Sequence, residues 1–207
     1  MNKVFIVDSS YEYIKMFLEH GWEVVSDIKY AHIVQFTGGS DVSPHLYGEE
    51  KHSKSHCNPA RDEKERKIFE HCISIAMPMA GICRGGQFLN VMSGGKMYQH
   101  VSNHCTPHDI MDLNTGVLIH ASSTHHQMMI PSEKGIVVAI ASQGGVREKM
   151  NGFNLETKIV GINADDAEVV FYENTSSLCF QPHPEFSSID FNPLKEYYFD
   201  CIKTFLI

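Results

Sequence analysis

Gly81-Ile82-Cys83-Arg84-Gly85-Gly86-Gln87 is the stretch whose reading decides the fold. An apolar, partly β-branched run (Ile73, Ile75, Ala76, Met77) precedes it, and Pro78-Met79-Ala80 leads into it. After it, Phe88, Leu89, Val91 and Met92 recur at helical spacing. The pattern predicts strand, sharp turn and helix with a cysteine at the apex, the G-x-C-x-G form of a nucleophile elbow. The glycines let strand and helix approach while the apex residue holds a strained backbone. A helix N-terminus behind Cys83 favours negative charge there. In isolation the same pattern also suits a buried structural cysteine beside a tight turn.

Toward the N-terminus, Val4 to Val7 reads as a buried strand, and Ser9 with Glu12 as the capping box of a helix that Gly21 ends. Trp22–Val25 and Ile33–Phe36 read as further strands, so the chain opens as βαβ and predicts a parallel sheet. Thr37-Gly38-Gly39 follows directly, a turn whose N–H groups could converge on an anion or merely connect strand to loop. The polar loop 42–59 is long enough to suggest function. Arg61–Met77 reads as a helix with Phe69, Cys72, Ile73 and Ala76 inward and its charged start in solvent. Beyond the elbow, strands are expected at 96–101, 116–119 and 137–141, and a loop at 143–154. Val160–Ile162 and Val169–Tyr172 read as an antiparallel pair across Asp165-Asp166. The last helix starts at Asn192-Pro193, with Tyr198, Cys201, Ile202 and Phe205 as its apolar stripe.

A cysteine nucleophile needs a base, and the base needs an orienting acceptor. Gln181-Pro182-His183-Pro184-Glu185 follows a buried strand and can supply both. Pro184 keeps His183 out of helical conformation, and in an extended segment His183 and Glu185 point to one side.

Composition bounds the partners. The 207 residues suit a single domain over 1–207, and a formal charge of −8 argues against a nucleic-acid polymer. Six irregularly spaced cysteines, a strand at the start with no signal peptide before it, and no span-length apolar run are expected of a reduced cytoplasmic protein away from the membrane. His104, Cys105 and His108 lack zinc-finger spacing, so no metal and no cofactor are expected.

Taken in order, FTGGSDVSPHLYGE (36–49), RDEKE (61–65), the elbow stretch (81–99), SSTHHQ (122–127) and QPHPE (181–185) resemble the class I glutamine amidotransferase-like superfamily, in its γ-glutamyl hydrolase or peptidase C26 branch. The resemblance implies a flavodoxin-like three-layer α/β sandwich with a mostly parallel central sheet. It implies Cys83 as nucleophile, His183 as base and Glu185 as third member. The amides of Gly39 and Arg84 would form the oxyanion hole, and Gln87 would contact the γ-glutamyl group. The implied reaction is hydrolysis of a small γ-glutamyl amide through a thioester, releasing glutamate. Gly-Gly-Ser-Asp-Val-Ser-Pro stands where synthetase-partnered glutaminases usually carry G-G-P-G, which favours a stand-alone hydrolase over a subunit feeding a synthetase partner. Ser122 stands where the branch commonly has Asn and His100 where it has Asp, which weakens γ-glutamyl-γ-aminobutyrate as substrate. A compact member of the branch cleaves γ-glutamyl-CDP-amidate in capsule phosphoramidate synthesis. A nucleotide-linked leaving group would call on Arg61, Arg84, His100, Ser123, His125 and His126. A non-catalytic binding protein on this fold is the remaining alternative.

Overall fold

The computed structural model describes residues 1–151, 153–161, 166–186 and 188–207. The opening βαβ is as the sequence predicts: β1 (Lys3–Ile6), α1 (Tyr11–Glu19), β2 (Glu23–Val25) and β3 (Ile33–Phe36). Ser10, not Ser9, caps α1, and its hydroxyl bonds Glu12 at 2.7 Å. Helix α2 (Pro59–Ser74) leads to β4 (Met79–Ile82) and α3 (Arg84–Met92), the two arms of the elbow. There follow β5 (Lys96–Tyr98), β6 (His100–Val101), β7 (His108–Asp112), β8 (Leu118–Ala121), β9 (Met128–Ile130) and β10 (Ile136–Ala141). The chain closes with β11 (Val146–Asn151), β12 (Asn154–Ile159), β13 (Ala167–Tyr172), β14 (Ser177–Phe180) and α4 (Asn192–Phe205).

The main sheet is mixed and runs β2-β1-β3-β4-β14-β13-β10-β7-β8, with β5 and β9 attached beside β13. From β2 to β14 every pairing is parallel; beyond β14 every pairing is antiparallel. The period-two alternation of a strand buried on both faces divides the core. Ala80, Ile82, Leu178 and Phe180 face α1 and α4, where they meet Phe17, Leu194 and Tyr198. Met79 and Cys179 face α2 and α3, where they meet Phe69, Cys72 and Phe88. This is the three-layer α/β sandwich.

Three expectations are corrected. The stretch 143–154 is not a loop: β11 pairs β12 along its length and β6 at its start, forming a second, three-stranded sheet. Its charged residues hid the strand, yet Arg147 is buried, with Nε 2.6 Å from Asp166. Val160 and Gly161 lie outside any strand, Ile162 and Asp165 lie outside the described residues, and β13 pairs with β14, β10 and β9 instead. Third, the charged start of α2 is not all solvated, the helix ends at Ser74 rather than Met77, and Ile73 in its last turn and Ala76 beyond it are exposed rather than inward.

Asp62 and Glu65 are buried, and both pair with the buried guanidinium of Arg84, the residue that follows Cys83. Glu65 also takes the Arg61 Nε at 2.7 Å. Arg61 turns both other nitrogens to the β3 turn: Nη1 bonds the Gly38 carbonyl at 2.9 Å, and Nη2 bonds the Thr37 carbonyl at 2.9 Å and its hydroxyl at 3.2 Å. Two carboxylates on α2 thus hold two arginines, one in the elbow and one on α2 itself that braces the glycine turn. Burial and the nearby Arg61 charge pull Arg84 down to about 10, so it remains cationic at neutral pH. Removing one partner from a buried pair typically costs about 3–5 kcal/mol, because the other charge is left uncompensated. Glu65→Ala is therefore expected to lower the unfolding free energy by several kcal/mol, read as a lower urea midpoint, whereas Glu63→Ala, two residues away and exposed, should leave the midpoint near wild type. Matching midpoints for the two variants would refute this role for the cluster.

Candidate active site

Three adjacent parallel strands end at the same level. Phe36 is in register with Gly81, and Ile82 with Phe180. The residues that leave these strands are Thr37-Gly38-Gly39, Cys83 and Gln181-Pro182-His183, so segments far apart in sequence meet at the carboxyl edge of the sheet. That edge is where open α/β sheets place their sites. The Cys83 amide is anchored on the Phe180 carbonyl at 2.7 Å.

Cys83 has φ 51° and ψ −117°, a conformation that a non-glycine residue holds only under tertiary constraint. The constraint is close backbone packing: a Cβ on Gly85 would collide with the Phe36 carbonyl, and one on Gly81 with the Gly85 backbone. The Arg84 amide opens α3, where no helical carbonyl is available to it.

His183 and Glu185 are joined by Nδ1 to Oε1 at 2.7 Å, and both are buried. The other ring nitrogen of His183 lies 3.0 Å from the Thr124 hydroxyl. A methyl placed on Gly38 would lie 3.4 Å from His183 Cε1 and 3.7 Å from Cys83 Cβ, so imidazole and thiol flank the glycine turn together. Ser122 grips the His183 backbone from below, accepting from its amide at 3.0 Å and donating to its carbonyl at 2.8 Å. Phe186 stacks on the ring at 4.6 Å. Tyr13 accepts from the Gly38 amide at 2.9 Å, fixing the turn from the α1 side.

A cleft of ≈ 250 Å³ opens over Cys83, with Gly39, Gln87, Asp41, Thr124 and His126 among its walls. Gln87 also bonds the Gln181 side chain at 3.0 Å. His126 reaches Asp41 at 3.2 Å, and that bond raises its imidazole above the ordinary range. Of the expected contacts, Cys83, Gly39, Gln87, His125 and His126 line the cleft, with His183 and Glu185 beside them, while Arg61, His100 and Ser123 do not line it. Arg61 is turned into the cluster under the glycine turn, and the Arg84 side chain into the same cluster. Ser123 donates to the His104 carbonyl, and His100 stands behind the cleft, its ring 5.9 Å from that of His126. His125 shows the cleft only part of its ring: Nδ1 bonds the Gln127 carbonyl at 2.8 Å and Nε2 points inward, 3.9 Å from Glu168. Thr124, Tyr13 and Asp41 complete the site without having been singled out individually in the sequence, and Ser122, read there as bearing on the leaving group, instead holds the His183 backbone. SSTHHQ marked the right loop, but its pattern does not say which hydroxyl meets the imidazole.

Burial alone would lower the His183 pKa. The charge on Cys83, the hydrogen bond to it and the Glu185 carboxylate outweigh burial and push His183 up to about 10. The folded chain thus holds this proton more tightly than the unfolded chain, where histidine titrates near 6.5. Its stabilising contribution is full below that value and is lost as pH rises toward about 10. Nitrogen-15 NMR of the His183 ring should show an imidazolium throughout neutral pH in wild type and a lower pKa in Cys83→Ser and in Glu185→Gln. A wild-type ring that titrates near 6 would contradict the arrangement.

The family model described as Peptidase C26 matches residues 23–185. A putative glutamine amidotransferase of Mycobacterium tuberculosis is 31% identical over 142 residues, 58% of this chain and 45% of its own length. A putative glutamine amidotransferase-like protein of Lactococcus lactis is 44% identical over 70 residues, 33% of this chain and 30% of its own. The matches thus span less than half the length of these relatives. Among solved structures, a glutamine amidotransferase from Thermotoga maritima superposes with TM-score 0.62 at 14% identity, over 98% of this chain and 84% of that one. PurLQS from the same organism gives 0.63 at 15% identity, over 100% and 99%. At such identities the likeness concerns the fold, which is that of class I glutamine amidotransferases.

Proposed function

The chain belongs to the Peptidase C26 family of the class I glutamine amidotransferase-like superfamily, and from that premise we propose that it hydrolyses a γ-glutamyl amide through a covalent intermediate on Cys83. The carrying observation is the convergence of Cys83, His183 and Glu185 at one sheet edge, with the imidazole bonded to the carboxylate at 2.7 Å. In this reading the Cys83 sulfur attacks the side-chain carbonyl carbon of the glutamyl unit. The amides of Gly39 and Arg84 take up the negative charge on the carbonyl oxygen. His183 gives its proton to the departing amine as the C–N bond breaks, leaving a γ-glutamyl thioester. His183 then accepts a proton from water, which attacks the thioester, releases glutamate and restores the sulfur. One donated hydrogen bond to the oxyanion is worth about 3 kcal/mol in hydrolases of this kind.

Two features bear on the leaving group. Among the described residues no arginine or lysine lines the cleft, and His126, paired with Asp41, has its cationic form favoured there. Arg61, the residue suited to a bidentate phosphate contact, is committed to Gly38, Thr37 and Glu65. Both support a small γ-glutamyl amine over a nucleotide-linked γ-glutamyl amidate, and Arg61 acts by holding the turn that carries Gly39. Stand-alone hydrolysis remains the reading drawn from the Gly-Gly-Ser-Asp turn.

Purified protein should release glutamate from a chromogenic γ-glutamyl anilide, and Cys83→Ala should abolish this. Retention of wild-type rate by Cys83→Ala would refute the mechanism. Arg61→Ala should reduce kcat/KM by the same factor, on the order of 10²-fold for a misplaced reactive group, on the anilide and on γ-glutamyl-CDP-amidate. A loss confined to the nucleotide substrate would restore Arg61 as a phosphate contact.

A further inference from the structure

Behind the cleft wall, away from Cys83, four buried side chains from separate segments aim at one point. His104 follows β6, His108 opens β7, His125 lies between β8 and β9, and Glu168 stands on β13. Their exposures are 1%, 6%, 4% and 0%. His108 Nε2 is 3.0 Å, His104 Nδ1 3.5 Å and His125 Nε2 3.9 Å from the same Glu168 oxygen. Ligand atoms of His104, His108 and Glu168 lie within 4.8 Å of one another.

The outer nitrogens decide what the inner ones can do. His108 Nδ1 is 3.1 Å from the Thr106 carbonyl, and His125 Nδ1 is 2.8 Å from the Gln127 carbonyl. A carbonyl only accepts, so each outer nitrogen carries the proton and each neutral ring turns a lone pair inward. His104 Nε2 is 3.1 Å from Asp166, which Arg147 holds in place at 2.6 Å. All three imidazoles thus have the outer support that metal-bound histidines have: an N–H donated to a carbonyl or a carboxylate, fixing tautomer and ring orientation. The inner His125 Nε2, His104 Nδ1 and the second Glu168 oxygen have no hydrogen-bond partner. Three neighbouring side chains that each keep a buried polar atom without a hydrogen-bond partner are costly to leave so.

We propose that His104, His108, His125 and Glu168 bind one Zn²⁺-class dication in a closed, four-coordinate site. Ligand atoms about 2.0–2.2 Å from zinc sit ~3.3 Å apart in a tetrahedron; His108 Nε2 and His104 Nδ1 already lie 3.0 and 3.5 Å from the Glu168 oxygen, and His125 Nε2, 3.9 Å from it, would draw in as the fourth ligand. Three nitrogens and one oxygen suit a borderline first-row cation over Mg²⁺ or Ca²⁺. The burial of all four ligands leaves no side open to substrate, so the role is structural. The ion would tie β13 to the loop 122–127, whose Ser122 and Thr124 hold His183. It takes no part in the thiol chemistry, and the site stands whether or not the hydrolase reading does. Cys105 is not a ligand: its sulfur bonds the His125 carbonyl.

The test is metal analysis of full-length protein purified without chelator, with Zn²⁺ in the medium, followed by replacement with Co²⁺. One zinc per chain is expected, and the Co²⁺ form should show the intense visible bands of four-coordinate cobalt without a thiolate charge-transfer band. Cys83→Ala should keep the metal, while Glu168→Gln and His125→Ala should lose it. The wild-type Co²⁺ spectrum needs no variant, so it decides the matter even where a ligand variant fails to fold. Wild-type protein that carries no zinc and takes up neither Zn²⁺ nor Co²⁺ overturns the proposal. A thiolate band that vanishes in Cys83→Ala also overturns it, placing the ion on the nucleophile instead.

Discussion

Glu65 is in contact with two arginines at once, and the geometry of the cleft depends on that contact. Arg84 follows the elbow cysteine, and Arg61 supports the glycine turn beside it. Neither guanidinium could be buried alone, since an unpaired charge in the interior costs several kcal/mol. Glu65, which both contact, and Asp62, which pairs with Arg84, lie on the first two turns of α2 and tie the end of β3 to the start of α3. The two amides assigned to the oxyanion hole lie on those two segments. A charge cluster that would contribute little on the surface here sets a geometry, because Arg84 and both carboxylates are buried and because Arg61 is also fixed on the Gly38 and Thr37 carbonyls.

The parallel half of the sheet supplies the other constraint. With β3, β4 and β14 in register, the turn, the thiol and the imidazole leave neighbouring strands side by side. Backbone strain at Cys83 is then held by tertiary packing rather than by local sequence, since Gly85 and Gly81 admit no side chain. The antiparallel half brings β13 and the loop after β8 against the same edge. That loop contributes two hydroxyls, one beneath the His183 backbone and one at its ring. His183 is therefore oriented from three sides, by Glu185, Ser122 and Thr124.

Local signals made much of this legible. The elbow, the His-Pro-Glu segment and the opening βαβ are written in runs of adjacent residues, where periodicity and the steric needs of glycine and proline act. Failures came where the deciding partner is distant. The charged opening of α2 reads as a solvated face because Arg84 lies some twenty residues on. Val146–Asn151 reads as loop because its charges are neutralised by residues from other segments, such as Asp166, although Asn151-Gly152 is a common hairpin signal. Arg61 reads equally as a phosphate contact or as a structural residue, because its pair with Glu65 has helical i,i+4 spacing while the Gly38 and Thr37 carbonyls it also bonds leave no sequence pattern. His104 and His108 lack finger spacing because the residues they meet, His125 and Glu168, come from a later loop and a later strand.

The most direct measurement is intact-mass and peptide mapping of protein treated with a diazo-ketone analogue of glutamine under reducing conditions. Six cysteines compete: Cys105 is exposed and Cys57 half-buried, whereas Cys83 is buried beside His183. If Cys83 is the nucleophile of a γ-glutamyl site, a single adduct forms there, and excess glutamine or a γ-glutamyl amide slows its formation. Labelling that follows exposure, with Cys105 modified first and Cys83 spared, would contradict the account.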